Sequence, residues 1–382
     1  MPEALADLVV LDLTRILTGP FCTMMLADFG ATVYKIEPPG GDDTRQWGPP
    51  FIHGESAYFL SVNRNKKSIV VDLKSLEGQR MFRQMAAQAD VVVENYRPGT
   101  LRQWGLDYPS LSAINPRLIM ASISGFGATG PGRQRPGYDL IAQAMSGFMA
   151  TTGSSEQPPI KAGFSIADIG AGMWAAYGIM VALHARSYTG RGQWIDTSLY
   201  ESMIAWQTYQ ASNFFATGEE PEPLGSAHPN IAPYQALHAQ DGFLVVACGN
   251  DHLWQRLVKA CDIPFGNDPH FRTNPERVVH RELLIKRLEE IFERHPVRHW
   301  LAILEEAGVP AGPIQHFADV FNDPQVQLRE MVQTISHPIA GPIKMTGIPL
   351  KLSETPGRIT LPPPRLDEHR EEILRRFGLY EK

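Results

Sequence analysis

Short apolar, β-branched runs recur along the first half of the chain, separated by stretches whose apolar positions repeat every three to four residues. The runs LVVLDLT, ATVYKIEP, KSIVVDLK, DVVVENY and RLIMASISGFG read as strands, and the pattern over Gly78–Ala89 reads as a helix. Strands alternating with helices predict a parallel sheet covered on both faces. Ligands of such sheets gather at the carboxyl ends of the strands. Those ends here are TRILTGP, EPPGGDDTR, ENYRPGT and SGFGATGPGRQRPGYD, loops dense in Gly, Pro, Arg and Asp.

The pattern changes after a helical stretch over Ser198–Thr217 and the loop GEEPEPLGSAHPNIAP. YQALHAQDGFLVVACGN reads as strand, turn and strand, followed by helices over His252–Lys259, Arg281–His295 and Val297–Glu306. The expected organisation is α/β. A Rossmann-like large domain begins with 1–200, a smaller α+β domain covers 225–330, and a tail over 331–382 returns to the large domain. That tail contains HPIAGPIKMTGIPLKLSETP and a helix over Glu368–Phe377. No internal repeat or low-complexity tract is evident.

With 382 residues, 43% hydrophobic and 20% charged, the composition is that of a soluble globular protein of two domains. The net charge of -6 lacks the basic balance that gathers on nucleic acid or anionic lipid, so neither is expected as a partner. Three scattered cysteines, Cys22, Cys248 and Cys261, form neither a disulfide framework nor a zinc site. Together with an acidic start that lacks a signal-peptide pattern, they point to the cytoplasm. There is no G-x-S-x-G elbow, Walker loop, G-x-G-x-x-G after the first strand or metal-ligand cluster. Carboxylates and backbone amides remain as catalytic tools.

The segment KAGFSIADIGAGMWAAYGIMVALHA carries one acidic residue, Asp168, in an apolar small-residue run. Its uncharged part, Ile169–Leu183, is about fifteen residues long, short of the roughly twenty that cross a bilayer, and reads as a buried helix. Asp168 falls in the first turn. Two readings are open: a helix cap stabilising by about 1 kcal/mol, or a nucleophile kept ionised by the same amides. In RPGYDLIAQAMSGF, Asp139 is likewise either a cap or a residue that positions substrate. Arg64, Lys66 and Lys67 in SVNRNKKSI form either a solvated edge or a phosphate-binding group.

Over nearly the whole chain, the ordered motifs resemble the family III CoA-transferases (the CaiB/BaiF family, with formyl-CoA transferase, carnitine CoA-transferases and acyl-CoA racemases). They are VLDLTRILTGPFCTMMLADFGATVYKIEPPGGDDTR, FLSVNRNKKSIVVDLK, VVVENYRPGTLRQWGLDY, NPRLIMASISGFGATGP, GYDLIAQAMSG and SIADIGAG with TGRGQWIDTSL. GGDDTRQWGPPF and YFLSVNRNKKSI are most similar to the succinate–hydroxymethylglutarate (glutarate) branch.

The resemblance implies the family fold, an interlocked homodimer, and a nucleophilic aspartate at Asp168. It implies coenzyme A as substrate carrier, with no resident cofactor or metal. CoA contacts fall on Arg15, Leu17 and Thr18 of the first turn, and on Val71, Asp72, Leu73 and Lys74 after the third strand. Others fall on Asn95, Tyr96 and Arg97, and on Tyr138 and Asp139. ACGND matches the loop that closes over the acyl group, with Gly249 and Asn250. Leu17 and Pro38 replace the Gln and Arg of formyl-CoA transferases, and ACGND has one glycine where those enzymes have several. The racemases carry His where this chain has Tyr138.

The expected reaction moves CoA from an acyl-CoA such as succinyl-CoA to a C4–C6 dicarboxylate. Arg45, or His228 with Tyr234, would anchor the second carboxylate. The alternatives are α-methylacyl-CoA racemisation and non-catalytic acyl-CoA binding.

Overall fold

Six strands form one parallel sheet: β1 (Val9–Asp12), β2 (Thr32–Glu37), β3 (Lys66–Val70), β4 (Val91–Glu94), β5 (Ile119–Ser124) and β6 (Trp194–Ser198). Their order is β3-β2-β1-β4-β5-β6, and every neighbouring pair is parallel. This is the doubly wound arrangement, whose winding reverses between β1 and β4 and leaves a crevice at their carboxyl ends.

Because both faces are covered, successive residues of one strand feed different cores. Val10, Val33, Val91 and Val93 pack with Cys22 and Leu26 of helix α1 (Thr18–Ala27). Leu11, Tyr34 and Val92 pack on the opposite face with Phe82 and Met85 of α2 (Leu76–Ala86). Helices α3 (Asp139–Met145), α4 (Ile166–Thr189) and α5 (Leu199–Ala205) follow. The α4 helix lies along α1 and the sheet through Ala167, Ala171, Ala175, Ile179 and Ala182.

The computed structural model describes residues 3–379, and the chain divides into two units. One comprises 1–148, 161–215 and 324–382; the other comprises 149–160 and 216–323. Residues 149–160 thus belong with the second unit, which begins before residue 225 and ends before 330. In the first unit, the tail contributes the helix Arg370–Phe377, whose Ile373 and Phe377 join the core around Tyr34. The second unit has a three-stranded antiparallel sheet, ordered Ala311–Pro313, Gly242–Ala247, Tyr234–Ala239. Trp254, Phe271, Leu284, Phe292 and Trp300 pack beside it.

Three expectations change. The stretch Ser198–Thr217 is two helices, α5 and Thr208–Thr217, broken where Thr208 takes a left-handed φ of 33°. The α4 helix is 24 residues long, enough by length and composition to cross a membrane. It is only half buried: Met173, Trp174, Tyr177, Met180 and Val181 lie on its exposed side. Finally, Arg64 and Lys66 are neither a solvated edge nor a phosphate site. Arg64 is buried against Asp28 (2.7 Å) and Lys66 against Asp12 (3.1 Å), while Lys67 pairs with Glu372.

Candidate active site

At the switch point, the turn after β1 and the turn after β4 hold each other. The Arg15 backbone N–H donates to Asn95 Oδ1 (2.9 Å), and Asn95 Nδ2 donates to the Arg15 carbonyl (2.7 Å). Tyr96 lies under the Arg15 guanidinium at 5.7 Å, and Arg15 pairs with Asp43 at 3.1 Å. Two groups of sequence-predicted CoA contacts are thereby brought together by topology.

The first turn is fixed from beneath by buried charge. Asp12 interrupts the apolar run of β1 and accepts from the Thr14 hydroxyl (2.5 Å), the Thr23 hydroxyl (2.6 Å) and Lys66 Nζ (3.1 Å). Lys66 also reaches the Pro20 carbonyl (2.9 Å), while Lys35 bridges the Thr14 carbonyl (3.0 Å) and Asp42 (2.8 Å). Burial pushes the Asp12 carboxyl up, but Lys66, Lys35 and the two hydroxyls outweigh it and hold the group at about 2. Ile16, within the turn, takes a left-handed φ of 72°, a strained conformation for a β-branched residue. No local pattern along the chain reveals this network. Its only signal was an aspartate inside a buried strand.

Asp168 lies in the first turn of α4, but it does not cap that helix. Ser165 occupies the cap position, and Asp168 Oδ1 accepts the hydroxyl of Thr18, the first residue of α1. Instead, Asp139 of α3 caps α4 from outside: its Oδ1 accepts the backbone N–H groups of Ala167 (2.8 Å) and Asp168 (3.4 Å). Buried Gln143 holds Asp139 Oδ2 at 2.5 Å and accepts from the Ala162 N–H (2.9 Å). Burial raises the Asp168 carboxyl to about 6; the Thr18 hydroxyl opposes the rise and the Asp139 charge adds to it. Tyr58, absent from the sequence-based site, is pushed up to about 12 by burial and by Asp168, Asp139 and Asp42.

Glycines permit these approaches. A Cβ on Gly172 of α4 would sit 2.5 Å from the Thr18 carbonyl oxygen, so α1 and α4 meet there backbone to backbone. In the loop before α3, a Cβ on Gly125 would lie 2.6 Å from the Gly137 Cα, which closes that loop at its base.

Other predicted residues sit differently. Leu17, Val71 and Leu73 are buried in apolar clusters, so a ligand would meet their backbone rather than their side chains. Asp72 and Lys74 are exposed, with the Lys74 N–H on Asp72 Oδ1 (3.0 Å). Tyr138 is 63% exposed. Gly249 and Asn250 belong to the second unit, where Asn250 caps the helix Asp251–Ala260 through the Leu253 N–H (2.9 Å). His228 and Tyr234 also lie in that unit, their rings 5.5 Å apart.

Arg45 is not placed to anchor a carboxylate. Its guanidinium is committed to Glu37 (2.7 and 2.8 Å) and the Pro364 carbonyl, and it stacks on Phe59 at 3.8 Å.

Beside Asn95 a cleft of about 380 Å³ opens at the ends of β4, β5 and β6, lined by Tyr96, Arg97, Arg102, Arg133, Trp194 and Asp196 among others. At its floor, burial raises Glu94 to about 7 against hydrogen bonds from Ser122 and the Tyr96 amide, with Asp196 adding to the rise.

A half-buried carboxylate at a helix start, beside a crevice at the switch point, suits covalent acyl chemistry. The family model described as CoA-transferase family III matches residues 5–370. The chain belongs to CoA-transferase family III. It is accordingly a CoA-transferase. The chain is 43% identical to the Mus musculus succinyl-CoA:glutarate CoA-transferase over 98% of its length and 86% of the relative. It is 41% identical to the Acetobacter aceti acetyl-CoA:oxalate CoA-transferase, covering 97% of this chain and 95% of that one. The crystal structure of a CAIB/BAIF family protein from Brucella suis matches with a TM-score of 0.86 at 43% identity, over 99% of this chain and all of that one. No group of three or more His, Cys, Asp or Glu residues suited to a metal ion occurs among the described residues.

Proposed function

We propose that this family III enzyme moves CoA from an acyl-CoA, succinyl-CoA first among them, to a C4–C6 dicarboxylate, with Asp168 as nucleophile. Asp168 attacks the thioester carbonyl, the C–S bond breaks, and CoA leaves as thiolate, giving a mixed aspartyl anhydride. The thiolate then adds to the aspartyl carbonyl and releases the first acid, leaving an aspartyl-CoA thioester. The acceptor carboxylate displaces the thiolate through a second anhydride, which the thiolate opens at the acceptor's acyl carbon. The acyl group stays activated throughout, so no ATP is consumed.

The observation that carries this reading is the Asp168 carboxylate: half-buried, raised to about 6, and bonded through one oxygen. It is ionised near neutral pH yet poorly solvated, which favours attack. Tyr138 in place of a histidine supports transfer over racemisation, since it supplies no base of suitable pKa for an α-proton. The cleft with Arg97, Arg102 and Arg133 suits the phosphates of CoA, and Tyr96 and Trp194 offer aromatic faces to its adenine. The C4–C6 preference rests on the succinyl-CoA:glutarate relative; the oxalate relative supports only a second carboxylate on the acceptor.

The exposed apolar side of α4 supports a homodimer in which that face is covered. Three free, buried thiols at Cys22, Cys248 and Cys261 support a cytoplasmic setting.

The test is a panel of free mono- and dicarboxylates offered to enzyme and succinyl-CoA, followed by hydroxylamine trapping of the Asp168 acyl species. Glutarate-sized acids as best acceptors, with hydroxamate on Asp168, is the expected result. Formate or another monocarboxylate as a far better acceptor would overturn the substrate assignment and leave the nucleophile standing.

A further inference from the structure

The two oxygens of the Asp168 carboxylate are not equivalent. Oδ1 accepts the Thr18 hydroxyl, whereas Oδ2 takes no hydrogen bond from any described residue. Thr18 is 4% exposed and cannot shift readily, because its carbonyl rests on Gly172 and the next residue, Gly19, is pressed against the Thr14 side chain. Its β-branched side chain, set in the first turn of α1, has few rotamers open to it. The hydroxyl is therefore held on one oxygen of the nucleophile.

In the reaction proposed above, Asp168 Cγ is itself an acyl centre. Thiolate adds to it in the first anhydride, and the acceptor carboxylate adds to it in the aspartyl thioester. Each addition places a negative charge on the aspartyl oxygen that is not the bridging one. We propose that Thr18 is an oxyanion donor to the nucleophile: its hydroxyl retains Oδ1 through the whole cycle, leaves Oδ2 as the sole attacking oxygen, and strengthens its bond to Oδ1 as charge develops there. This rests on the Asp168 reading.

The oxygen balance follows. When the thiolate opens the first anhydride, the Cγ–Oδ2 bond breaks and the departing acid carries Oδ2 away. When the second anhydride is opened at the acceptor's acyl carbon, the bridging oxygen, which came from the acceptor, stays on Cγ as the new Oδ2. One oxygen position of Asp168 is thus renewed in every turnover, and Oδ1 is never exchanged while Thr18 holds it.

Replacing the hydroxyl with a methyl in Thr18→Val lowers kcat by about 10²-fold, the scale of one lost oxyanion donor. KM for succinyl-CoA changes far less, and Thr18→Ser restores most of the rate. The groups facing Asp168 from neighbouring elements are Asp139 of α3 and Tyr58. Without the Thr18 hydroxyl, burial and the Asp139 charge act unopposed, so the acid limb of kcat/KM moves to higher pH in Thr18→Val and stays in place in Thr18→Ser.

The deciding experiment lets wild type and Thr18→Val turn over succinyl-CoA with succinate carrying heavy oxygen in both carboxylates, under conditions where acyl exchange is measured. The Asp168 peptide is then weighed. One heavy oxygen in wild type and two in the variant, whose carboxylate is free to rotate, is the expected result. Two in wild type overturns the proposal while leaving Asp168 as nucleophile. None in a wild-type enzyme that is turning over overturns the nucleophile reading and this proposal with it.

Discussion

The Thr18 hydroxyl donates to Asp168 Oδ1 across 150 residues of sequence, joining the first turns of two helices that pack without an intervening side chain at Gly172. That contact counters the rise that burial imposes on the carboxyl of the candidate nucleophile, while the charge of Asp139, which caps the same helix from a third element, adds to it.

Asp168→Asn removes the nucleophile while keeping its shape. Transfer from succinyl-CoA should fall by about 10⁴-fold or more, on the scale of losing a covalent catalyst. Secondary structure by circular dichroism and CoA binding by calorimetry should be retained. Turnover within tenfold of wild type would contradict the assignment.

The pH dependence has a definite sign. Asp168 is raised to about 6, so kcat/KM should fall as pH drops through about 6 and the attacking carboxylate is protonated. Stability runs the other way. Between the unfolded value near 4 and the folded value of about 6, the folded state binds more protons than the unfolded state, so this group lowers stability as pH rises through that window. Asp168→Asn should therefore melt higher than wild type at neutral pH, by on the order of 1–2 kcal/mol after allowance for solvent screening. The gain should vanish below pH ~4, and a variant less stable than wild type at pH 7 would speak against it.

Asp12 titrates in the opposite sense. Held at about 2 when folded, it contributes stability that is complete above the unfolded value and lost as pH falls from about 4 towards 2. Asp12→Ala leaves Lys66 buried without its counter-charge and should cost about 3–5 kcal/mol in denaturant titrations. Because Asp12 also fixes Thr14 and Thr23, kcat should fall in whatever fraction remains folded.

Gly172→Ala puts a methyl 2.5 Å from the Thr18 carbonyl, where only backbone can yield. Prying α1 from α4 should cost about 1–3 kcal/mol and reduce kcat, since the Thr18–Asp168 contact lies on the same seam. Gly190→Ala, in the left-handed cap of the far end of α4, provides the comparison: a stability loss with kcat intact.

Arg45→Ala tests an anchor that the fold has already committed elsewhere. Breaking its bonds to Glu37 should destabilise the protein by roughly 2–4 kcal/mol. The ratio of glutarate to monocarboxylate transfer should stay within about twofold, because the ion pair with Glu37 leaves no bidentate face for a substrate. A collapse of dicarboxylate preference alone would overturn this.

Much of the fold was legible because strand and helix periodicities are local. Val10 and Leu11, or Val91 and Val92, alternate between two cores, and five of the six parallel strands announced themselves as apolar runs. The sixth, Trp194–Ser198, did not: its burial is slight and its residues are mixed, so nothing in its pattern distinguishes it from loop. Asp168 in the first turn of a small-residue helix was also legible, as were the turns Arg15–Thr18 and Asn95–Arg97 at strand ends. What a charged side chain does there was not. Lys66 reads as a surface lysine until β3 lies in the sheet and Asp12 comes beside it; Arg45 reads as free until Glu37 and Pro364 close on it. Asp139 reads as the cap of its own helix, yet it caps α4. Sequence determines which segments bury apolar surface and where loops gather, because those follow from neighbours three or four residues away. Whether a carboxylate is solvated, paired or left reactive depends on groups tens to hundreds of residues distant, and only packing brings them within hydrogen-bond reach.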